Sequence, residues 1–247
     1  MSIDRRRFLE KSTIATVGAT ALTHFGQSTD GAQELGRPNI LWITCEDMSP
    51  DIGCWGDRYA ITPNLDHFAA EAVRYTNAYA PAPVCSPARS CLITGVYATS
   101  LSTQHLRSTF PIPDYMKGFP SYLRAAGYFC TNNVKTDYNT SNEPAIIAAS
   151  WDECSAKAHW RHRKPGQPFF SVFNGVTTHQ GPTSVIPYDQ FVKQVRDRLA
   201  PTERHDPAKA PIPPYYPDTP IVRRTIARYY DCMTAMDKEH VGRLLKE

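Results

Sequence analysis

No two cysteines in this chain are spaced C-x-x-C, although there are seven, at positions 45, 54, 85, 91, 130, 154 and 232. The usual cysteine-pair zinc sites are therefore not expected. Seven is odd, so at least one sulfur stays outside any intramolecular disulfide. The plain expectation is buried free thiols with room for one disulfide. Long apolar runs are missing too. None approaches the ~20 residues that cross a bilayer, so no permanent membrane span is expected. Charge of one sign is equally scarce: 27 basic and 24 acidic side chains leave +3 over 247 residues. A field that weak does not call for nucleic acid as a partner. The basic run from His159 to Lys164 reads as a solvated loop face, and no internal repeat is present.

What the chain has is a hydrophobic fraction of 41%, enough for a proper core and too much for global disorder. Near the start, Arg5-Arg6-Arg7-Phe8-Leu9 precedes a short, mildly apolar stretch from Ile14 to Leu22. An R-R-x-F-L run ahead of such a stretch is the twin-arginine export pattern. Residues 1–32 are thus expected to be a twin-arginine signal peptide and spacer, read by the twin-arginine export machinery. The implied location is exported, periplasmic or extracellular, in a bacterial cell.

The apolar run Asn39–Thr44 has strand length and suits a strand buried on both faces. Thr62-Pro63 opens a helix, with Thr as cap, Pro in the first turn, and Leu65, Phe68, Ala69 and Ala72 on one face. Ala88 to Thr94 reads as a short helix closed by Gly95. A further helix from about Phe119 ends at Gly127, ahead of strands at 128–131 and 169–173. Strands alternating with helices predict an α/β layered fold with a largely parallel central sheet. Residues 180–220, rich in proline, read as a long surface excursion. From Thr219 the pattern is helical, with Ile226, Tyr230, Met233, Val241 and Leu244 at spacings of three and four. It stops at Glu247 without a cap, so the domain over 37–247 is expected to be truncated.

In an α/β sheet, ligands gather outside the carboxyl ends of the strands. Glu46-Asp47, Lys135 and His179 lie at or just after such ends. Cys85 sits just before a predicted helix start, where backbone N–H groups and the dipole favour an anion. Two carboxylates, a nucleophile and two cationic donors make a site for a hard metal and an anionic substrate. Taken singly, each residue is more often a surface charge, a loop histidine or a buried thiol. Their convergence on one sheet edge shifts that balance.

Cys85-Ser86-Pro87-Ala88-Arg89, followed by Leu92-Ile93-Thr94-Gly95, resembles the signature C-x-P-x-R…L-x-T-G of the formylglycine-dependent sulfatases, members of the alkaline phosphatase superfamily. Arg37-Pro38-Asn39-Ile40-Leu41 and Thr62-Pro63-Asn64-Leu65-Asp66 resemble that family's opening strand and first helix. Pro168-Phe169-Phe170 with His179, and Met236-Asp237 with Val241-Gly242, resemble later segments. The run Pro213–Pro220, with Arg223 and Tyr229-Tyr230-Asp231, looks most like the heparan N-sulfatase-like branch.

The resemblance implies a sulfuric ester hydrolase for sulfated carbohydrate. It implies that a formylglycine-generating enzyme oxidises Cys85 to formylglycine, and that Glu46, Asp47 and the modified Cys85 bind Ca2+. It further implies that Arg89 holds the nucleophile's oxygen while Lys135 and His179 grip the sulfate. The chain departs from the family in two places. Glu46-Asp47 stands where two aspartates are usual, and Lys135-Thr136-Asp137 where Lys-x-His is usual. Either Asp137 acts there as a base or His105 supplies the missing imidazole. Two other readings remain: a phosphonate or phosphodiester hydrolase of the same superfamily, and a non-catalytic fragment.

Overall fold

Among the described residues four segments become strands: β1 (Ile40–Cys45), β2 (Phe129–Asn133), β3 (Glu153–Cys154) and β4 (Phe169–Gly175). They form one sheet in the order β1-β4-β2-β3, every pair parallel. Chain alternation sorts its side chains. Ile40, Trp42, Phe170 and Val172 face one layer, with Ile93, Leu101, Tyr138 and Trp151. Leu41, Ile43, Phe169 and Phe173 face the other, with Trp160 and Leu244. Helices cover both faces, so the α/β class read from the sequence is the class observed. The computed structural model describes residues 36–247. The expected signal peptide over residues 1–32 lies outside the described residues. The chain divides into two units, Met1–Arg37 and Pro38–Glu247, and the second is the one described. Among its residues no helix is long and apolar enough to cross a membrane.

Helix α1 (Pro63–Glu71) starts after Thr62, as the Thr-Pro pair predicts. The cap is different, however. Thr62 Oγ1 is taken up with Gly53 N and Asp66 Oδ1 at 3.1 and 3.2 Å. The helix's open amides go instead to Asp237, which accepts from Asn64 N at 3.1 Å and Leu65 N at 2.7 Å. The apolar face expected on this helix is covered only in part: Leu65 packs against Ile52 and Met233, whereas Phe68 is half exposed.

Helix α2 (Cys85–Thr94) begins three residues earlier than the pattern implied and closes on Gly95 at φ 71. Only glycine takes that left-handed turn without strain. Next come α3 (Pro120–Ala125) and α4 (Glu143–Ser150). Sequence reading missed α4 and the two-residue β3, because an eight-residue apolar stretch and a two-residue bridge carry almost no period.

The 180–220 region corrects its expectation. It is not a loose excursion: it holds a π-helix (Gly181–Val185), α5 (Tyr188–Gln194) and three 3-10 turns. Phe191, Val195 and Leu199, four residues apart, bury against Cys232 and Ala235. Those last two lie on α6 (Pro220–Met236), capped by Thr219, whose Oγ1 accepts from Val222 N. A second π-helix (Asp237–Val241) leads into α7 (Gly242–Lys246).

β1 is half-buried where β4 is buried along its whole length. The cause is position: β4 pairs with both β1 and β2, whereas β1 pairs with β4 alone among the described strands. All seven thiols are free.

Candidate functional site

The register places the ends of three neighbouring strands together. Cys45 of β1 pairs with Gly175 of β4, and Phe173 of β4 with Asn133 of β2. The chain leaving each end delivers a charged residue: Glu46-Asp47 after β1, Lys135 and Asp137 after β2, His179 after β4. The structure brings these five together with Cys85 and Arg89; the strand-end argument pointed to Glu46, Asp47, Lys135, His179 and Cys85, and the family resemblance to Arg89 and Asp137.

Glu46 is the centre of the charge cluster, only 8% exposed. Its Oε2 meets Lys135 Nζ at 2.6 Å and His179 Nε2 at 3.6 Å, and its Oε1 lies 3.9 Å from Arg89 Nη1. That Oε1 is buried without a hydrogen bond. Asp47 sits at φ 50. Its Oδ2 accepts from Gln180 N at 2.8 Å and lies 4.0 Å from His179 Nε2. Asp137, also left-handed at φ 55, stands 4.0 Å from Lys135 Nζ.

Cys85 is the first residue of α2 rather than the residue before it. The Asp137 carboxylate and the Lys135 ammonium are the charges that act on its thiol. Burial, then the Asp137 charge, pushes this thiol above its usual range. An ordinary thiolate nucleophile is lowered by its surroundings instead, so the environment does not suit thiolate chemistry at Cys85. A cavity of about 330 Å³ opens here, with Glu46, Asp47, Val84, Cys85, Ala88 and Arg89 in its walls.

Arg89 is committed to backbone. Nε donates to Thr136 O at 2.6 Å, and Nη2 donates to Lys135 O and, at 3.1 Å, to Asn174 Oδ1. The guanidinium thereby fixes the loop that carries Lys135 and Asp137, leaving Nη1 toward Glu46. Asn174 is the residue sequence reasoning missed. It accepts from Thr44 Oγ1 at 2.8 Å and donates to Asn132 Oδ1 at 2.9 Å, tying β1, β4 and β2 together at their ends. The available signal was a polar residue closing the apolar run Phe169–Phe173.

His105 does not join the cluster. Asn139 Nδ2 donates to Thr103 O and to His105 O, the latter at 2.8 Å, which pins that backbone. The ring is exposed and makes no hydrogen bond among the described residues. As for a metal, no set of three or more His, Cys, Asp and Glu among the described residues is arranged to hold one. Glu46 and Asp47 are hard oxygen donors, and the unbonded Glu46 Oε1 fits a cation such as calcium in kind. Two carboxylates supply only part of the six to eight oxygens calcium takes.

Comparison with known proteins follows the same residues. Residues 38–145 match the sulfatase family model. The chain is 35% identical over 248 residues to the ulvan-active sulfatase of Formosa agariphila, covering 85% of this chain and 40% of that protein. It thus spans well under half the length of that relative. Among solved structures it superposes on a 2-O GAG sulfatase with a TM-score of 0.60 at 17% identity, covering 85% of this chain and 54% of that one. It also superposes on the phosphonate monoester hydrolase of Agrobacterium radiobacter with a TM-score of 0.58 at 17% identity, covering 85% and 59%. Those two likenesses speak to the fold; the segment that matches the sulfatase family, residues 38–145, contains the Cys85–Arg89 motif, Glu46-Asp47 and Lys135.

Proposed function

We propose that this chain carries the nucleophile-bearing part of a sulfatase active site and acts in the hydrolysis of sulfate esters on sugars. The observation that supports it most is Cys85. It stands at the head of α2 inside Cys-x-Pro-x-Arg, under the charges of Asp137 and Lys135, at the meeting point of three strand ends. Formylglycine made from Cys85 would supply a hydrated carbonyl whose hydroxyl attacks sulfur. Calcium held by Glu46 and Asp47 would supply positive charge to that group and to the ester.

The other side chains have definite tasks in this reading. Lys135 and His179 offer N–H donors to sulfate oxygens and offset charge that grows in the transition state. Asp137 is the carboxylate whose charge acts on the side chain at position 85, so it is the group to take a proton there. Arg89 holds Lys135 and Asp137 in reach through their loop carbonyls. The sugar class rests on likeness to an ulvan-active sulfatase. Export to the periplasm or beyond rests on the twin-arginine pattern at Arg5-Arg6-Arg7-Phe8-Leu9.

The test is sulfate release. The chain is produced with a formylglycine-generating enzyme, loaded with calcium, and assayed on an aryl sulfate and on sulfated oligosaccharides. Cys85→Ala is expected to lower the rate by at least about a thousandfold. Undiminished release from that variant would overturn the reading, and peptide mass spectrometry reports whether residue 85 has become an aldehyde. A second reading, phosphonate or phosphodiester hydrolysis at the same residues, comes from the superfamily resemblance of the Cys85–Arg89 motif. Faster turnover of an aryl phosphodiester than of the aryl sulfate would favour it.

A further inference from the structure

α6 touches two of the three loops that carry the charge cluster, through two consecutive residues. Arg228 is only 7% exposed, yet its partners are not carboxylates. Nε donates to Pro182 O at 2.6 Å, and Nη2 donates to Ile186 O at 2.9 Å and Gly181 O at 3.4 Å. Its guanidinium also lies over the Phe191 ring, 4.8 Å from the centroid. Gly181 and Pro182 belong to the π-helix that starts two residues after His179, and Ile186 is its C-cap; π-helices often mark functional turns. Within that segment Thr183 N and Oγ1 both donate to His179 O, at 3.2 and 3.1 Å.

One residue on, Tyr229 braces the other loop. Its hydroxyl accepts from Ser49 N at 3.3 Å and donates to Asp51 Oδ2 at 3.2 Å. The two loops are stitched to each other as well. Gln180 N donates to Asp47 Oδ2, and Thr178 Oγ1 donates to Glu46 O at 2.6 Å.

A buried guanidinium with no carboxylate beside it costs a good deal of hydration. Neutral carbonyls return part of that, and a long apolar side chain such as methionine would pack there without the cost. The donor geometry is what methionine cannot provide: a planar fork that fixes three carbonyls of one segment at once. We infer that Arg228 is a positioning residue for His179, locking the 179–186 strap against α6 so that the imidazole stays within reach of Glu46 and Asp47. Tyr229 does the same for the 47–51 loop, so one rigid helix sets the separation of the two loops. This deepens the sulfatase reading, since it assigns what holds one of the proposed sulfate-binding groups.

The test uses the full chain with inorganic sulfate as the probe and a double-mutant cycle. Arg228→Ala is expected to weaken sulfate binding about tenfold in the native background and less than about twofold when His179 is already alanine. Low millimolar guanidinium, refilling the space, is expected to restore affinity in Arg228→Ala but not in His179→Ala. An equal loss in both backgrounds would overturn the inference. Amide exchange without sulfate separates this outcome from failure of the sulfatase reading. In Arg228→Ala, exchange at Gln180 and Thr183 is expected to rise well above the change seen in β4. If the strap keeps its native protection, Arg228 does not position it, whether or not sulfate binds. Arg228→Lys, which keeps charge but loses the fork, is expected to behave like alanine; native behaviour of the lysine variant would also count against the inference.

Discussion

At position 85 the surroundings favour a protonated thiol, because burial and the Asp137 carboxylate both penalise the thiolate. Removing that carboxylate therefore has a definite sign. In protein made without a formylglycine-generating enzyme, Asp137→Asn is expected to lower the Cys85 pKa. Iodoacetamide alkylation at mildly alkaline pH should then quicken, and a slower rate would show that the thiol does not face that charge. Asp137 and His105 also show what single residues in a sequence can reveal. Both were reasonable stand-ins for the family's histidine, and proximity in the chain could not separate them. The structure does: Asp137 turns into the cluster at φ 55, whereas Asn139 pins the His105 backbone and leaves the ring in solvent. Glu46, Asp47, Lys135 and His179 were legible because each follows an apolar strand run. Asn174 was not, since an asparagine at a strand end is ordinary until its partners, Thr44, Asn132 and Arg89, are seen.

Among the elements, α1 is secured by Asp237, a buried carboxylate whose pKa burial raises. Ionising it costs more in the folded chain than in the unfolded one. Its contribution to stability is therefore full below the ordinary value of 3.8 and is lost as pH rises through the higher folded value. Asp237→Asn removes that dependence. Its thermal midpoint is expected to fall less, or rise more, than the native midpoint between about pH 4 and pH 7; parallel curves would contradict the sign. Close packing makes a second prediction. A methyl added at Gly175 would sit 2.8 Å from His240 Cδ2 and 3.2 Å from Thr44 O. Gly175→Ala should cost about 1–3 kcal/mol by denaturant unfolding, with part recovered when His240 is alanine. Strands and the long α6 were readable from apolar period and the Thr-Pro starts. The packed 188–199 region was not, because its prolines masked a four-residue repeat of Phe191, Val195 and Leu199.

For the molecule as a whole, the pieces that matter lie far apart in sequence and meet at one end of a four-stranded parallel sheet. A divalent cation at Glu46 and Asp47 would bind the folded chain and not the unfolded one. Calcium at about a hundred times its dissociation constant is then expected to add about 2.7 kcal/mol, read as a higher melting temperature that EDTA reverses. Glu46→Gln should abolish the gain; the same gain in that variant would place the ion elsewhere.

The capping of α1 by Asp237 also has a consequence in time. The carboxylate that closes Asn64 and Leu65 is 173 and 172 residues further along the chain. At about 5–20 residues per second, a ribosome needs roughly 9–34 s to deliver it. Throughout that interval the amides of Asn64 and Leu65 are left to water or to a chaperone, so α1 waits on a lock made long after its own residues.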